Sequence, residues 1–436
     1  MPARARRWTA ALLVAVGLPL APAPADTQSL GDALKTFLYD DAALTVHVRS
    51  YFFDRTNPVP APSNIAWAGG GWVGFETGWF YDALRFGIVG YTSQPLVAPQ
   101  DTPGSFLLGP NQEGYSVLGQ AWGKLRLWDQ EFTGYRQLIN QPEVNPFDNR
   151  MTPNTFEAYL LSGALPTGWG DFGYTAGYVS KIKPRNATAF INMAQQAGAP
   201  DSVSEGMMLA GLSWGPSQAY KARWSGYLVP NILASSYADG SVFLTLSDDV
   251  DLRVSGQFMV QGSVGGQLLP GAPFSTWAGG IDADLILGNV MLTASYTQTG
   301  NAAAYRTPYG TWAGYTSMIV HNFNRANEGA FLVGATVDFS FLKAPGFALS
   351  TNVVFGNGAM NAVTGTPLAR HNEYDFTLDY LFANSALPWP EAMRPLWIRA
   401  RAALLDQFEP GGRFSTVRDY RVILNYEWKF GGKKKG

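Results

Sequence analysis

Basic side chains stand at every second position in several stretches of the sequence. Lys124 and Arg126 are two residues apart, and so are Arg399 and Arg401. Residues two apart project from the same face of a β-strand. Guanidinium groups bind carboxylates through charge-assisted hydrogen bonds, and a row of cations along a water-filled wall concentrates anions. The spacing therefore predicts a carboxylate-guiding wall, and its candidate residues are Arg49, Lys124, Arg126, Arg136, Arg399, Arg401 and Arg421.

The alternation of apolar and polar residues, described below, predicts a closed barrel of about eighteen strands. The basic residues are expected to lie in one region of that barrel. They fall on the first, fourth, fifth, seventeenth and eighteenth predicted strands. The first and last strands of a closed barrel are neighbours, so we expect the basic groups to cluster near the closure seam. A structural role is the alternative, because the polar inner wall of a wide barrel also holds arginines that pair with Asp or Glu for rigidity.

Enzymatic chemistry has weaker support in this chain. Nucleophilic catalysis requires a nucleophile with a base in reach, yet the sequence has only His47, His321 and His371, no cysteine and no Gly-x-Ser-x-Gly motif. Asp282 and Asp284 could suggest calcium, but alternate acids on one strand face are more simply wall charges. We expect no enzyme activity, no metal site and no cofactor; the alternative is a barrel lipase or protease, or a structural or adhesin barrel.

The N-terminus has the pattern of a secretory signal peptide. Arginines at positions 4, 6 and 7 precede an apolar run from Ala10 to Leu20 and a small-residue site at Ala23-Pro24-Ala25. The run is too short to cross a bilayer, which takes about 20 apolar residues. We therefore predict that residues 1–25 are a signal peptide and that the mature chain starts near Asp26.

The net charge excludes one class of partner. Removing the three arginines of the signal peptide from the 31 basic residues leaves 28 against 33 acidic residues, a net charge of −5. Nucleic-acid binding would require a basic surface, so we expect no nucleic-acid partner. The lack of cysteine also excludes a disulfide framework.

Apolar and polar residues alternate with a period of two along the mature chain. Apolar residues fall mostly on alternate positions from Val250 to Val260, from Phe331 to Phe341 and from Tyr374 to Phe382. Each run is about ten residues, the length of a tilted membrane-spanning strand, whereas strands of a soluble sandwich have about five or six. Roughly eighteen runs occur between Leu44 and Phe430, an even number as a closed antiparallel barrel requires. The predicted fold is an all-β transmembrane antiparallel barrel over residues 44–430.

Connections between the predicted strands alternate between short and long. Asp248-Asp249 and Gly288-Asn289 are tight turns, whereas residues 262–279 and 299–328 form long links. Outer-membrane barrels have short periplasmic turns and long outside loops. This orientation places both ends of the mature chain in the periplasm, with residues 26–43 as a periplasmic N-terminal segment. The link 383–394 is an exception, because it is long on the side of the short turns.

The last predicted strand has one regular apolar face that ends in an aromatic residue. Its alternate positions are Tyr420, Val422, Leu424, Tyr426, Trp428 and Phe430. Such a face suits contact with outer-membrane lipid. A terminal aromatic strand also resembles the assembly signal of these barrels, so the barrel-assembly machinery is an expected partner during insertion. Residues 431–436 follow the aromatic and are expected to form a basic periplasmic tail.

Several of these segments together resemble the OprD-type substrate-specific porins of Gram-negative outer membranes. The resemblance covers nearly the whole mature chain. Its clearest segments are Val48-Arg49-Ser50-Tyr51-Phe52-Phe53-Asp54-Arg55, Tyr135-Arg136-Gln137, Asp148-Asn149-Arg150-Met151-Thr152-Pro153-Asn154-Thr155-Phe156-Glu157, Phe355-Gly356-Asn357-Gly358, His371-Asn372-Glu373-Tyr374, Ile398-Arg399-Ala400-Arg401 and Asp419-Tyr420-Arg421-Val422-Ile423. The resemblance implies an eighteen-stranded passive diffusion channel in the outer membrane, whose third and seventh outside loops fold inward and narrow the pore.

The resemblance also implies roles for individual residues. Family members guide the carboxylate of a solute along a ladder of basic residues, and the residues that resemble this ladder are Arg49, Lys124, Arg126, Arg399, Arg401 and Arg421, with Arg136 on the strand after Lys124 and Arg126. Asp148 and Arg150 belong to the third loop, which resembles the constriction loop. The seventh loop contributes Tyr309, Trp312 and Tyr315.

The seventh loop departs from the pattern of the best-known members. Where they have an acidic residue that receives a basic amino acid, this chain has Gly314-Tyr315-Thr316-Ser317. The expected solutes are small organic acids or amino acids, and the departure favours a neutral or aromatic carboxylate over a basic amino acid.

Overall fold

Antiparallel strands dominate the computed structural model, which describes residues 29–217 and 219–432. The predicted signal peptide and residues 433–436 of the predicted tail lie outside the described residues. Nineteen strands occur within these ranges; β8, Ile191–Asn192, has two residues, and the other eighteen form the wall of a barrel. The predicted all-β barrel and its strand number are confirmed.

The eighteen wall strands pair in chain order and close into a ring. Their bounds are β1 Ala43–Thr56, β2 Asn64–Glu76, β3 Leu84–Val97, β4 Tyr115–Leu127, β5 Gln130–Gln137, β6 Thr155–Leu165, β7 Phe172–Lys183, β9 Met207–Ser217, β10 Tyr220–Val229, β11 Leu233–Ser247, β12 Val250–Ser263, β13 Ser275–Leu287, β14 Val290–Thr299, β15 Gly329–Asp338, β16 Phe347–Asn357, β17 Arg370–Leu381, β18 Leu396–Phe408 and β19 Phe414–Gly431. Ala43 of β1 is opposite both Glu76 of β2 and Gly431 of β19. The ring of described strands therefore has no open edge.

The two faces of the wall differ as the period-two pattern predicts. On β19 the side chains of Tyr420, Val422 and Leu424 are exposed on the outer face, whereas Asp419 and Arg421 are buried on the inner face. An apolar outer face is the surface that lipid covers, and charged groups collect on the inner face.

Both ends of the described chain lie at one end of the barrel, together with the short turns. Two-residue turns join β4 to β5, β11 to β12 and β13 to β14, at residues 128–129, 248–249 and 288–289. Trp128 and Gly288 have φ angles of 55° and 57°, the left-handed conformation that tight hairpins require. The turn 382–395 is long, in agreement with the predicted exception.

The opposite end, called the outer end below, has the long loops. The third loop spans 138–154, the fourth 184–206 and the seventh 300–328. The link 230–232 between β10 and β11 has only three residues, which is an exception that the sequence pattern did not indicate.

Helices are few and short within the described residues. Helix α1, Leu30–Lys35, continues into a π-helical turn, Thr36–Asp40, and α2, Met193–Gln196, lies in the fourth loop. Short 3-10 turns occur at Pro110–Gln112, Phe339–Leu342, Phe382–Asn384 and Glu391–Met393. None of the helices in the described ranges is long and apolar enough to cross a membrane.

The largest apolar core lies inside the barrel, between the loops and the wall. Ile139 and Val144 of the third loop, Met193 of α2 and Tyr309 of the seventh loop pack around Phe156 of β6. Burial of these side chains favours loops that turn into the lumen rather than outward into water. The predicted inward folding of the third and seventh loops follows from this core.

Candidate functional site

The third and seventh loops meet inside the barrel and form a constriction. The amide of Asn145 donates to the carbonyl oxygen of Tyr309 at 3.3 Å, and the amide of Thr311 donates to the Asn145 side chain at 3.0 Å. From the wall, the Glu373 carboxylate accepts hydrogen bonds from two successive amides of the seventh loop at 2.6 and 2.8 Å. The seventh loop is therefore fixed on both sides.

An open cavity of about 590 Å³ lies beside this constriction. Phe147 and Asp148 of the third loop, Tyr315 of the seventh loop, and Arg223 and Asp239 of β10 and β11 line it. Two further cavities, of about 760 and 390 Å³, continue along β7, β9, β10 and β11, and both are also lined by Arg223. These three cavities thus follow the wall beside Arg223.

Arg49, a predicted member of the basic ladder, fastens the third loop to the wall. Its Nε atom donates to Asn425 at 2.7 Å, and its Nη1 atom donates to Asp148 Oδ1 at 2.6 Å and to the carbonyl oxygen of Arg150 at 2.5 Å. The residue is only 7% exposed. Since all three of its side-chain nitrogen atoms already donate hydrogen bonds, Arg49 contributes to the shape of the constriction rather than offering a free guanidinium.

Arg421 has a corresponding contact with the seventh loop. It is 2% exposed, donates to Asp419 Oδ1 and Oδ2 at 2.6 and 3.1 Å, and donates to the carbonyl oxygen of Ile319 at 3.1 Å. Asp419 also accepts from Arg55 at 2.7 Å. Both the acid and the arginine are enclosed, so this ion pair is part of the protein interior.

Arg399 and Arg401 of β18 are more open to the lumen. The Nε and Nη2 atoms of Arg399 bind Asp379 at 2.7 and 2.9 Å, and 33% of its side chain is exposed. Arg401 donates to Thr377 Oγ1 at 3.3 Å and has no carboxylate within 4.0 Å among the described residues. Arg401 is directly opposite Arg421 in the strand register, and of these two arginines Arg421 is the one with a hydrogen bond to the seventh loop in the described residues.

Lys124 and Arg126 lie toward the end of the barrel with the short turns. Lys124 pairs with Glu131, and Arg126 lies 3.4 Å from Asp82 in the turn between β2 and β3. The Arg126 guanidinium also stacks 3.7 Å from the ring of Trp79 in the same turn. Both residues are therefore separate from the arginines of β18.

Arg136 belongs to a third group near the fourth loop. It pairs with Glu157 at 3.1 Å, which also lies 3.5 Å from Lys181, and its guanidinium is 4.1 Å from the ring of Phe190. Tyr135, the residue before it, has a φ angle of 77°. This left-handed conformation interrupts the regular alternation of β5, so spacing alone does not assign Arg136 to the row that contains Lys124.

Only some of the predicted loop residues line the cavity. Asp148 and Tyr315 do so, whereas Arg150, Tyr309 and Trp312 are buried at 5%, 0% and 4% exposure. Burial, together with the charges of Arg421 and of Arg185 in the fourth loop, lowers the pKa of Arg150 well below its usual range. Arg150 binds carbonyl oxygens of Ser105 and Asn149, and so it links the second and third loops.

Two arginines on the inner wall were missed by the sequence interpretation. Arg223 donates from Nε and Nη2 to Asp239 at 2.7 and 3.2 Å, and Arg253 donates from Nε to Asp284 at 2.9 Å. Each arginine is directly opposite its acid on the next strand. The signal in the sequence was the spacing of Lys221 and Arg223, which is the same as that of Arg399 and Arg401.

A buried acid of the third loop connects both loops to the wall. Glu143 accepts from Tyr305 of the seventh loop at 2.5 Å and from Ser235 of β11 at 2.8 Å, and it has no basic partner within 4.0 Å among the described residues. Burial raises the pKa of Glu143 to about 7, although the hydrogen bonds from Tyr305 and Ser235 oppose the rise. We therefore expect this acid to change its protonation state near neutral pH.

The stabilising contribution of the buried Glu143 carboxyl is expected to decrease as the pH rises from acidic to mildly basic values. Because folding raises the pKa of this carboxyl from 4.5 to about 7, its stabilising contribution is complete below pH 4.5 and is lost as the pH rises through about 7. The heat-unfolding midpoint of the refolded protein should fall from pH 5 to pH 8, and Glu143→Gln should reduce this fall. An equal fall in both proteins would contradict the assignment to Glu143.

Solved structures include barrels of the same architecture. OccK9 (OpdG) of Pseudomonas aeruginosa is similar with a TM-score of 0.78 and 20% identity over 89% of this chain and 99% of that chain. A BenF-like porin from Pseudomonas fluorescens Pf-5 has a TM-score of 0.78 and 15% identity over 90% and 100% of the two chains. OpdK of Pseudomonas aeruginosa with vanillate has a TM-score of 0.75 and 19% identity over 90% and 100%. These identities establish the fold alone, and no curated protein matches the sequence significantly.

A family model identifies the chain more directly. The model described as outer membrane porin, OprD family, matches residues 35–430, which is most of the sequence. The family and the closed barrel are those of passive channels in the Gram-negative outer membrane rather than those of enzymes. The chain therefore belongs to the OprD family of outer membrane porins.

Proposed function

We propose that this porin passes small solutes with a carboxylate group, guided by the basic residues of its inner wall. The supporting observation is the pair Arg399 and Arg401 on β18. Arg401 has no carboxylate within 4.0 Å among the described residues, and Asp379 occupies only the Nε–Nη2 edge of Arg399. A guanidinium has five N–H donors, so both side chains keep donors for a passing carboxylate.

Arg223 extends the proposed path along the opposite part of the lumen. Asp239 holds the Nε–Nη2 edge of its guanidinium, and 46% of the Arg223 side chain is exposed to the space that the three cavities share. Lys221, two residues earlier, lines the second of these cavities. A carboxylate could therefore leave the constriction along a wall that keeps positive charge within reach.

Aromatic groups at the constriction favour an aromatic carboxylate. Phe147, Tyr237 and Tyr315 line the same cavity as Arg223. The two acids that line it, Asp148 and Asp239, are paired with arginines at 2.6 and 2.7 Å, so neither is free to receive the cationic group of a basic amino acid. The solved OpdK structure contains vanillate, which is an aromatic carboxylate. That observation concerns OpdK itself.

Single-channel recording of the refolded protein in planar bilayers tests the proposal. Benzoate, vanillate, acetate and arginine would be added in turn at equal concentration. We expect benzoate and vanillate to occupy the channel and interrupt the current for longer than arginine does. Equal occupancy by arginine and benzoate would contradict the proposed solute class, and hydrolysis of lipid or peptide without any conductance would support a barrel enzyme instead.

Arg223→Gln is expected to weaken occupancy by benzoate about two- to fivefold, since a half-exposed charged contact contributes about 0.5–1 kcal/mol. Arg253→Gln is the matched control. Arg253 is also a cross-strand partner of an aspartate and is 47% exposed, but it does not line the three cavities around Arg223. The benzoate dissociation constant, measured from single-channel blocking, should change less in Arg253→Gln, and equal changes would argue for a general charge effect.

A further inference from the structure

The helical segment Leu30–Asp40, which comprises α1 and the π-helical turn after it, exposes a row of leucines. Leu30, Leu34 and Leu38 are four residues apart and are 61%, 41% and 53% exposed. Tyr39 beside them is 78% exposed. Residues four apart lie on the same face of a helix, so the segment presents one continuous apolar face that no described residue covers.

A second face of this segment packs against the rim of the barrel. Ala33 is 2% exposed, and the Phe37 ring lies 5.5 Å from Phe80 and 6.2 Å from Phe86. The amide of Gly78 donates to the carbonyl oxygen of Phe37 at 2.7 Å. The segment is therefore attached to the turn between β2 and β3, at the end of the barrel that has the chain termini.

Phe86 shows where this attachment lies relative to lipid. It belongs to the outward row of β3, in which Leu84, Phe86 and Ile88 are 37%, 48% and 52% exposed. Phe37 thus extends the lipid-facing surface of the wall, and the leucine face begins beside it. Successive helix positions are rotated by about 100°, which places Asp32 and Lys35 on the remaining face, away from both the barrel and the leucines.

We propose that Leu30–Asp40 is an interfacial anchor whose leucine face lies in the periplasmic leaflet of the outer membrane. The arrangement has the three faces that such an anchor requires: one on the barrel, one apolar, and one charged toward water. Helices of this kind bury their apolar face about 5–10 Å into the boundary between headgroups and acyl chains. The occupant is phospholipid, because the exposed leucines continue the surface that the family already places in lipid. This proposal does not depend on which solute the channel passes.

Site-directed labelling tests this directly, because the chain has no cysteine of its own. Single-cysteine variants Leu34→Cys, Leu38→Cys and Asp32→Cys would be labelled with an environment-sensitive fluorophore and refolded into phosphatidylcholine vesicles. Ile88→Cys on the lipid face of β3 and Val363→Cys in the eighth outer loop, which are 52% and 90% exposed, are the lipid and water references. Unchanged conductance of each labelled variant verifies its fold.

Labels at positions 34 and 38 are expected to emit at shorter wavelength than the label at position 32. They should be quenched by nitroxide-labelled lipid, as at position 88, and protected from aqueous iodide. Iodide quenching at 34 and 38 equal to that at 363 would overturn the proposal. Protection from both quenchers would also overturn it, because another protein surface, such as a second copy of the chain, would then cover the leucines. Neither outcome affects the proposed solute class.

Discussion

Replacing Arg421 by methionine is expected to lower the free energy of unfolding by about 1.5–3 kcal/mol, because a hydrogen bond to a charged group contributes about this much and the buried Asp419 would lose its bonds from Arg421. The affected group is Asp419, which is 0% exposed and, among the described residues, would keep Arg55 as its one basic partner. The carbonyl oxygen of Ile319 would also lose its contact with Arg421. The urea midpoint of the refolded barrel in vesicles should fall accordingly.

Arg401→Met is the matched control for this stability effect. Arg401 is directly opposite Arg421 on the neighbouring strand, but its removal leaves no carboxylate within 4.0 Å unpaired among the described residues. The urea midpoint of the Arg401→Met variant should stay close to that of the parent protein. Equal losses of stability in the two variants would show that Arg421 is not the structural residue that its contacts indicate.

The double variant Arg399→Gln, Arg401→Gln is expected to have the opposite profile, with a preserved fold and weakened carboxylate binding. A hydrogen bond to a charged group contributes about 1.5–3 kcal/mol when buried. The wet lumen reduces this to about 1–2 kcal/mol, or about 5- to 30-fold in affinity. Loss of Arg399 also removes the basic partner of Asp379, which keeps the hydrogen bond from Trp397 Nε1, and that negative charge repels anions. The benzoate dissociation constant from single-channel blocking measures the change.

A second double variant, Lys124→Gln with Arg126→Gln, removes the same formal charge from a different place. These residues pair with Glu131 and Asp82 near the short turns. Their removal should alter benzoate binding less than the change on β18. A similar loss in both double variants would mean that total charge, rather than the guanidinium groups of Arg399 and Arg401 in particular, governs affinity.

Strand alternation was sufficient to predict the wall and the direction of most of its charged side chains. A period of two assigns each side chain to lipid or lumen, and Arg49, Arg399 and Arg421 were correctly placed inside. The different roles of these arginines could not be predicted in the same way. Arg49 binds Asp148 of the third loop, and Arg421 binds the carbonyl oxygen of Ile319 in the seventh loop. Because both loops are distant in the sequence, these structural roles could not be read from the strands.

Two further differences between the sequence interpretation and the structure also have physical causes. Arg136 was placed with Lys124 and Arg126 because its strand follows theirs. The left-handed backbone at Tyr135 interrupts the alternation of β5, and a tyrosine does not predict this conformation. Arg223 was missed because its role depends on where the lumen stays open. Three cavities that Arg223 lines follow β10 and β11 beside the inward third loop, and the position of that loop depends on contacts between distant residues.

The reversal potential across a bilayer with a gradient of sodium benzoate tests the central claim most directly. Arg401 has no carboxylate within 4.0 Å among the described residues. Together with the partly exposed side chains of Arg399 and Arg223, it should make the channel more permeable to benzoate than to sodium. The account predicts a reversal potential displaced toward the equilibrium potential of benzoate. A displacement toward the equilibrium potential of sodium would contradict it.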